Sequence, residues 1–210
     1  MMSSATVFIW YPKGRDLGHA SMYIGDLSNA ALLQDGLMHP NREERLEHYR
    51  SMNTQSLRSK PQNLNYVSWW PSIGVTFPRC AAPSKLALDL RKDVQQEQRE
   101  PDVIYRLFGL SYEQMVVCWA GIQRKYIQQQ ASYVLTSKNC ATIVARVLKA
   151  GGIGGNQGIT LLDLHKTTWK PRDVAVLCNK MRDANKATKA KSEDYRTKSS
   201  SLMWVLAGFR

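Results

Sequence analysis

The chain has 210 residues, of which 43% are hydrophobic and 9% aromatic, and it carries a formal net charge of +12. This composition argues against a disordered chain and predicts one globular domain, with or without an appendage. No apolar run approaches the ~18 residues that a membrane-spanning helix needs. The N-terminus lacks the basic segment and small-residue cleavage site of a signal peptide.

The first half of the chain predicts short strands. Residues 5–11 form an apolar, β-prone run that ends in a proline. Residues 19–26 alternate, and the two runs are expected to pair as a hairpin across the turn between them. One face of the second strand carries Ala20, Met22 and Ile24, and the other carries His19, Ser21 and Tyr23.

The next hundred residues give weaker signals. Residues 28–63 are polar, with a short helix expected over 41–52. The segment 65–71, "NYVSWWP", alternates and predicts another strand. The segment 84–101 is ambiguous, because its first part, 86–90, alternates like a strand.

The second half is more helical. Ser111 followed three residues later by Gln114 is a capping box that predicts a helix start. Another helix is expected to begin near Asn139 and to end at Gly151. Pro171 fits the first position of a further helix.

Cys140 lies at the first turn of the second of these helices. Unpaired backbone N–H groups and the positive end of the helix dipole favour a thiolate there, and the same N–H groups can hold an oxyanion. A nucleophile of this kind needs a base, usually a histidine that a third polar group orients. The other cysteines, Cys80, Cys118 and Cys178, are expected to be inert free thiols, since no C-x-x-C pair suggests a metal cluster.

The chain offers four histidines as the base. His39 and His48 lie in the polar region and are expected at the surface. His165 follows the cysteine helix and is the weaker alternative. His19 opens a strand on its polar face, which favours it as the partner of Cys140.

Three stretches carry a resemblance to a known fold: "GHASMYIGD", "YVSWWP" and "NCATIVARVLKAGG". Together they resemble the circularly permuted papain-like fold of NlpC-related peptidases and lecithin retinol acyltransferase-like enzymes, in which a strand histidine precedes a helix-start cysteine. They also resemble domains of bacterial toxins and secreted effectors. The resemblance covers roughly residues 5–30, 64–72 and 126–176.

The resemblance implies an α+β fold, in which a small antiparallel sheet packs on the helix that begins with Cys140, with additional helices. Residues 1–178 would form the catalytic domain, with a helical insertion at 73–130. Residues 179–210 would form a basic extension that docks through its last ten residues.

The resemblance also implies a thiol enzyme that acts on an amide, ester or thioester, as a peptidase, amidase, deamidase or acyltransferase. Cys140 would be the nucleophile and His19 the general base. The third group usually follows on the next strand, which points to Ser68, with Asp26 and Asp163 as fallbacks.

Three further residues are candidates for substrate binding. Asn139 precedes the nucleophile, and Trp69 and Trp70 could line a groove, although their opposite strand faces predict that one of them belongs to the core. No cofactor and no metal are implied.

The partners follow from charge and resemblance together. We expect a protein or peptidoglycan substrate, contact with an anionic membrane or an acidic partner protein, and an immunity protein. The chain would be made in the bacterial cytoplasm and secreted without a cleavable signal peptide into a target cell. No specific nucleic acid is expected, because no recognition motif is present.

Two alternatives belong to other classes of protein. A non-catalytic binding or adaptor module on the same scaffold would be favoured by a buried Cys140 or by a His19 that points away from it. A basic nucleic-acid-associated protein of unrelated fold would be favoured by strongly salt-dependent affinity for DNA or RNA.

Overall fold

The fold is α+β. The computed structural model describes residues 4–13, 16–27, 65–72, 81–87, 89–128, 132–156, 158–192 and 195. Its strands are β1 (Ala5–Trp10), β2 (His19–Ile24), β3 (Tyr66–Val67), β4 (Trp70–Pro71), β5 (Ala81–Lys85), β6 (Val103–Leu107), β7 (Ser132–Val134) and β8 (Ala187–Lys191). Its helices are α1 (Leu90–Glu97), α2 (Tyr112–Ile127), α3 (Cys140–Ala150), α4 (Leu161–Leu164) and α5 (Pro171–Asp183), with a 3-10 turn at Ile153–Gly155.

A five-stranded antiparallel sheet organises the chain, in the order β3-β2-β1-β6-β8. The expected β1–β2 hairpin is confirmed, and it places Trp10 opposite His19. Gly18 precedes His19 with φ +74°, and a Cβ there would lie 2.5 Å from the carbonyl oxygen of Trp10. Only glycine fits this close turn, so Gly18 is what allows His19 to open the strand.

The two faces of this sheet pack against different helices. One face packs against α2, α3 and α5 and forms the main core with them. The other face packs on α1, where Phe8 and Trp10 meet Leu90 and Val94. Because side chains alternate along a strand, His19 projects on the α1 side of the sheet. The predicted alternation of β2 is confirmed, since the main core includes Ala20, Met22 and Ile24.

The segment 73–130 is not a helical insertion outside the sheet. It contains β5 and β6, and β6 pairs with β1 and β8 within the five-stranded sheet. The segment 84–101, which the sequence left ambiguous, contains a helix. Asp89 caps α1 by accepting a hydrogen bond from the backbone N–H of Lys92 at 3.1 Å, and Leu90 begins the helix.

The basic extension is partly built into the fold as well. α5 continues to Asp183, and β8 then pairs with β6, so residues 179–191 belong to the body of the protein. The expected docking of the last ten residues and the expected helix over 41–52 lie outside the described residues, as do His39, His48 and Cys80.

The predicted helix starts are confirmed. The Ser111 side chain accepts from the Gln114 N–H at 3.3 Å at the start of α2, Cys140 begins α3, and Pro171 begins α5.

None of the helices in the described parts of the chain is both long enough and apolar enough to cross a bilayer.

A second, three-stranded antiparallel sheet has the order β4-β5-β7. Trp70 of β4 lies opposite Lys85 of β5, and Tyr133 of β7 lies opposite Ala82 of β5. This small sheet therefore links the segment that follows β3 to the strand that leads into α3.

Candidate active site

The start of α3 is held by Asn139. Its Oδ1 accepts from the backbone N–H and the hydroxyl of Thr142, at 2.9 and 3.0 Å, and its Nδ2 donates to the carbonyl oxygens of Leu135 and Trp169, at 2.7 and 2.8 Å. The side chain thus uses its whole hydrogen-bonding capacity within the protein. Asn139 fixes the position of Cys140 and keeps no polar atom for the substrate contact that the sequence predicted.

The folded chain brings Cys140 and His19 together. The imidazole of His19, at the start of β2, lies close enough to Cys140 for that side chain to raise the pKa of the histidine. Both residues are largely buried: His19 is 1% exposed and Cys140 5% exposed.

Asp93 of α1 is a second neighbour of the imidazole. Its Oδ2 is 3.3 Å from His19 Nε2, and the carboxylate is fully buried. Three neutral donors also reach this carboxylate: the Tyr66 hydroxyl at 2.6 Å, the Ser68 hydroxyl at 2.7 Å and the Trp70 indole N–H at 2.7 Å. A carboxylate with this many donors is stabilised in its charged form.

Ser68, the sequence-predicted third group, contacts both His19 and Asp93. Its Oγ is 3.2 Å from His19 Nε2 and donates to Asp93 Oδ1. Because its only hydrogen goes to the carboxylate, Ser68 can face Nε2 only as an acceptor. The group with the charge to orient the imidazole is therefore Asp93.

The fallback carboxylates lie elsewhere. Asp26 is exposed, and Asp163 binds the ammonium of Lys180 at 2.6 Å. Sequence reasoning missed Asp93, although a signal existed. The buried residues of α1 are Leu90, Asp93 and Val94, which share one helical face, so a carboxylate interrupts an apolar stripe.

The charges of the pair stabilise each other. Burial by itself lowers the pKa of His19, but the Asp93 carboxylate and the facing Cys140 outweigh burial and raise this pKa to about 10. Burial likewise raises the pKa of Asp93, but the charge and hydrogen bond of His19 outweigh it and hold the pKa below its usual value. An imidazolium and a carboxylate are therefore the favoured pair in this site.

The two tryptophans have different surroundings. The ring of Trp70 stacks on the His19 imidazole, with centroids 4.0 Å apart and planes inclined by 20°. Trp69 is fully buried in the main core, edge-on to Tyr126 and beneath the ammonium of Lys138. Of the predicted groove pair, only Trp70 faces the site, and Trp69 is a core residue.

Two more polar side chains near the site were not predicted. Tyr133 of β7 is buried, and burial, followed by the influence of Cys140, raises the pKa of its hydroxyl well above the usual value. The Glu97 side chain is 7% exposed, with Oε2 3.5 Å from Arg99 Nη2. Burial raises the pKa of Glu97 to about 7, although His19 and Arg99 oppose this shift.

The remaining candidates have other surroundings. His165 is exposed at the end of α4. Cys178 is fully buried, whereas Cys118 is half-buried, with its sulfur 3.9 Å from the carbonyl oxygen of Arg146. Within the described ranges, no group of three or more His, Cys, Asp or Glu side chains is placed to hold a metal ion.

Comparison with known proteins gives one family. The family model of the IcsB middle domain matches residues 78–201, a region that begins after β3 and includes α1, β7 and α3. Asp93, Tyr133 and Cys140 therefore lie inside the match, and His19 lies before it. No curated protein matches the chain. Because the matched region is more than half of the 210 residues, the chain belongs to the IcsB middle-domain family.

Proposed function

We propose that this chain is a cysteine-dependent hydrolase or acyl transferase that acts on an amide, ester or thioester. One observation carries the proposal: the His19 imidazole is paired with the Asp93 carboxylate at 3.3 Å and lies close enough to Cys140 for that side chain to raise its pKa. A nucleophile, a base and a group that orients the base form the minimal arrangement for covalent acyl chemistry. The order of histidine strand and cysteine helix supports a permuted papain-like arrangement for this catalytic unit.

The site supplies each step of such a reaction. The thiol proton of Cys140 resides on His19 from the start, because the imidazolium is the form that pairs with Asp93. The Cys140 thiolate attacks the carbonyl carbon, a C–S bond forms, and the carbonyl oxygen becomes an oxyanion beside the N-terminus of α3. The oxyanion collapses, the bond to the leaving group breaks, and His19 returns the proton to that group. Water then hydrolyses the thioester in a hydrolase, whereas a substrate nucleophile accepts the acyl group in a transferase.

Family membership supports a role outside the producing cell. The IcsB family is one of secreted bacterial effectors. We propose that the chain is made in a bacterial cytoplasm and exported into a target cell, where it acts on a protein or on peptidoglycan. The net charge of +12 supports contact with an anionic membrane or an acidic protein. An immunity protein would accompany a bacterial target.

One observation favours a second candidate, a non-catalytic binding module on the same scaffold. Cys140 is only 5% exposed, and a nucleophile must reach the carbonyl that it attacks. The buried pair of His19 and Asp93 favours the enzyme, since a binding module has no need of a buried histidine–carboxylate pair near a thiol.

An acylation experiment separates the two candidates. The full chain is incubated with p-nitrophenyl butyrate, and the intact mass is measured by mass spectrometry. We expect the wild type to gain one butyryl group, on Cys140. Cys140→Ala should not gain this group, and His19→Gln should gain it slowly. Cys118→Ala, which removes a half-buried thiol, is the matched control and should be acylated like the wild type. A wild-type chain that acylates only after denaturation would establish the binding module.

Expression in different compartments addresses the target. Wild type and Cys140→Ala are produced in the bacterial periplasm, the bacterial cytosol and a eukaryotic cell. Toxicity of the wild type in only one compartment would identify the class of substrate. Equal toxicity of the two chains would contradict the thiol mechanism.

A further inference from the structure

Two leucines of the short helix α4 project into solvent. Leu161 is 75% exposed and Leu162 is 83% exposed, the highest values among the large hydrophobic residues that the structure describes. They follow a glycine-rich stretch, residues 151–158. A single exposed leucine is ordinary at a protein surface, whereas an adjacent pair offers hydrocarbon that a partner can cover.

The local structure of α4 keeps these two side chains outward. Thr160 and Asp163 form a capping box, in which the Thr160 backbone N–H donates to Asp163 Oδ2 at 2.7 Å. Leu164 faces the other way: it packs against the main core, and a Cβ on Gly154 would lie 2.7 Å from its Cδ1 atom. The same turn of helix therefore buries one leucine in part and presents the other two to solvent.

Three lysines from different elements converge on this segment. Lys149 of α3 donates to the carbonyl oxygen at the end of α4 at 3.1 Å, and Lys180 of α5 binds the Asp163 carboxylate at 2.6 Å. Lys186, just before β8, donates to the side-chain oxygen of Asn156 at 2.9 Å. These contacts hold three ammonium groups close to the segment that presents the leucines. They involve one carboxylate, so this part of the surface carries net positive charge.

We propose that Leu161, Leu162 and the three lysines, which together we call the α4 surface, dock on an anionic lipid bilayer. The leucine side chains enter the boundary between headgroups and acyl chains, and the ammonium groups bind the lipid phosphates. This inference rests on the part of the proposed function that gives the chain an anionic membrane or an acidic protein as partner. It is independent of the chemistry of Cys140.

The small size of the α4 surface favours a bilayer over an acidic protein. Specific protein partners bury roughly 800 Å² on each side, around a centre of matched shape. Two leucine side chains supply much less apolar area than such a centre contains. A bilayer accepts a small apolar projection without a matching groove, and its mobile phosphates can follow flexible lysines. Insertion and charge attraction are each weak, so binding requires both.

Vesicle co-sedimentation tests the inference on the full chain. Wild type is mixed with vesicles of phosphatidylcholine and phosphatidylserine, and separately with vesicles of phosphatidylcholine alone. We expect binding to the anionic vesicles only, and weaker binding as salt is added. The double variant Leu161→Ser, Leu162→Ser should bind at least about tenfold more weakly, because burial of even one leucine contributes that much. Val117→Ser, which removes an apolar side chain that is 68% exposed on α2, is the matched control and should bind like the wild type.

Two lysine variants distinguish the α4 surface from net charge. Lys186→Gln and Lys125→Gln each remove one positive charge, and Lys125 is exposed near the end of α2. Because one lysine close to an anionic bilayer is worth about fivefold in affinity, Lys186→Gln should weaken binding by that factor. Lys125→Gln should change the affinity by less than about twofold. Circular dichroism verifies the fold of each variant, and equal effects of the two substitutions would overturn the inference.

Three other results would also overturn it. Wild type that binds neither kind of vesicle, or a double leucine variant that binds like the wild type, would exclude the bilayer as the partner of this surface. Self-association of the wild type that the leucine substitutions abolish, without vesicle binding, would assign the surface to a second copy of the chain. Cys140→Ala should bind vesicles like the wild type, and failure of acylation in the experiments above would contradict the thiol mechanism alone.

Discussion

Nε2 of His19 lies 3.3 Å from Oδ2 of Asp93, and the side chains are 1% and 0% exposed. Water does not solvate either charge here, so each depends on the other and on the neutral donors that surround the carboxylate. This pairing ties α1 to the first residue of β2. It also determines which side chain orients the imidazole that faces Cys140.

The first prediction compares the two candidates for the orienting group. Asp93→Asn should lower the rate of acylation of Cys140 by about 10²- to 10⁴-fold, because an amide neither balances the imidazolium charge nor fixes the ring tautomer as a carboxylate does. Ser68→Ala removes only a neutral hydroxyl and should cost less than about tenfold. Rates are measured by intact mass on samples whose native fold is verified by circular dichroism. A larger loss in Ser68→Ala than in Asp93→Asn would restore the serine as the orienting group.

The second prediction concerns pH and stability. The His19 pKa is about 10 in the folded chain, against an ordinary value of 6.5, so the folded state holds this proton more tightly. The resulting stabilisation is complete below pH 6.5 and is lost as the pH rises through about 10. The difference in unfolding free energy between wild type and His19→Gln should therefore shrink by a few kcal/mol between pH 6 and pH 10.5, on the order expected from such a shift. Urea titrations at both pH values measure this difference in unfolding free energy. A difference that is the same at both pH values would contradict an ion pair of His19 and Asp93.

The third prediction separates the two roles of Asn139. Asn139→Asp keeps the oxygen that caps α3 but loses the two N–H donors to Leu135 and Trp169. Asn139→Ala loses the cap as well. We expect both variants to be destabilised, with the alanine variant lower by a further ~1 kcal/mol, the usual value of an N-cap. Urea unfolding provides the measurement, and equal stability of the two variants would show that the cap contributes nothing.

The fourth prediction isolates a steric clash at the β1–β2 turn. Gly18 and Gly109 have nearly the same backbone angle, φ +74° and +73°, but a Cβ would meet the Trp10 carbonyl oxygen at 2.5 Å only at Gly18. Gly109→Ala should cost about 1 kcal/mol from backbone strain alone. Gly18→Ala should cost clearly more and should also slow alkylation of Cys140, because His19 is displaced. The unfolding temperatures of the two variants measure these costs. Equal unfolding temperatures of Gly18→Ala and Gly109→Ala would contradict a steric clash at Gly18.

The fifth prediction concerns Glu97, whose burial raises its pKa from 4.5 to about 7. The folded state binds this proton more tightly than the unfolded state, so ionisation destabilises the protein as the pH rises from 4.5 to 7. Glu97→Gln should therefore be more stable than the wild type at pH 8 by roughly 1–3 kcal/mol. At pH 4 the two chains should be alike. Glu113→Gln, at an exposed position of α2, is the control, and a less stable Glu97→Gln at pH 8 would mean that the contact with Arg99 outweighs burial.

Local patterns predicted much of the secondary structure. The alternation of β2, the cap of α2 and the start of α3 follow from side-chain period and from hydrogen bonds that span three or four residues. α1 was harder to predict from the sequence, because it has only eight residues and follows a segment that alternates like a strand. The place of β6 beside β1 depends on pairing between distant segments, which a local pattern does not encode.

The amino-acid sequence by itself determined that a thiol begins a capped helix and that a histidine opens a strand on its polar face. Only the tertiary structure decided that the two side chains lie close together and that the buried carboxylate of Asp93 pairs with the histidine. The reason is the range of the forces involved. Caps and side-chain alternation depend on residues that are close in sequence. The packing of distant elements against one another depends instead on burial of both faces of one sheet, and this packing places β2 near α1, β7 and α3.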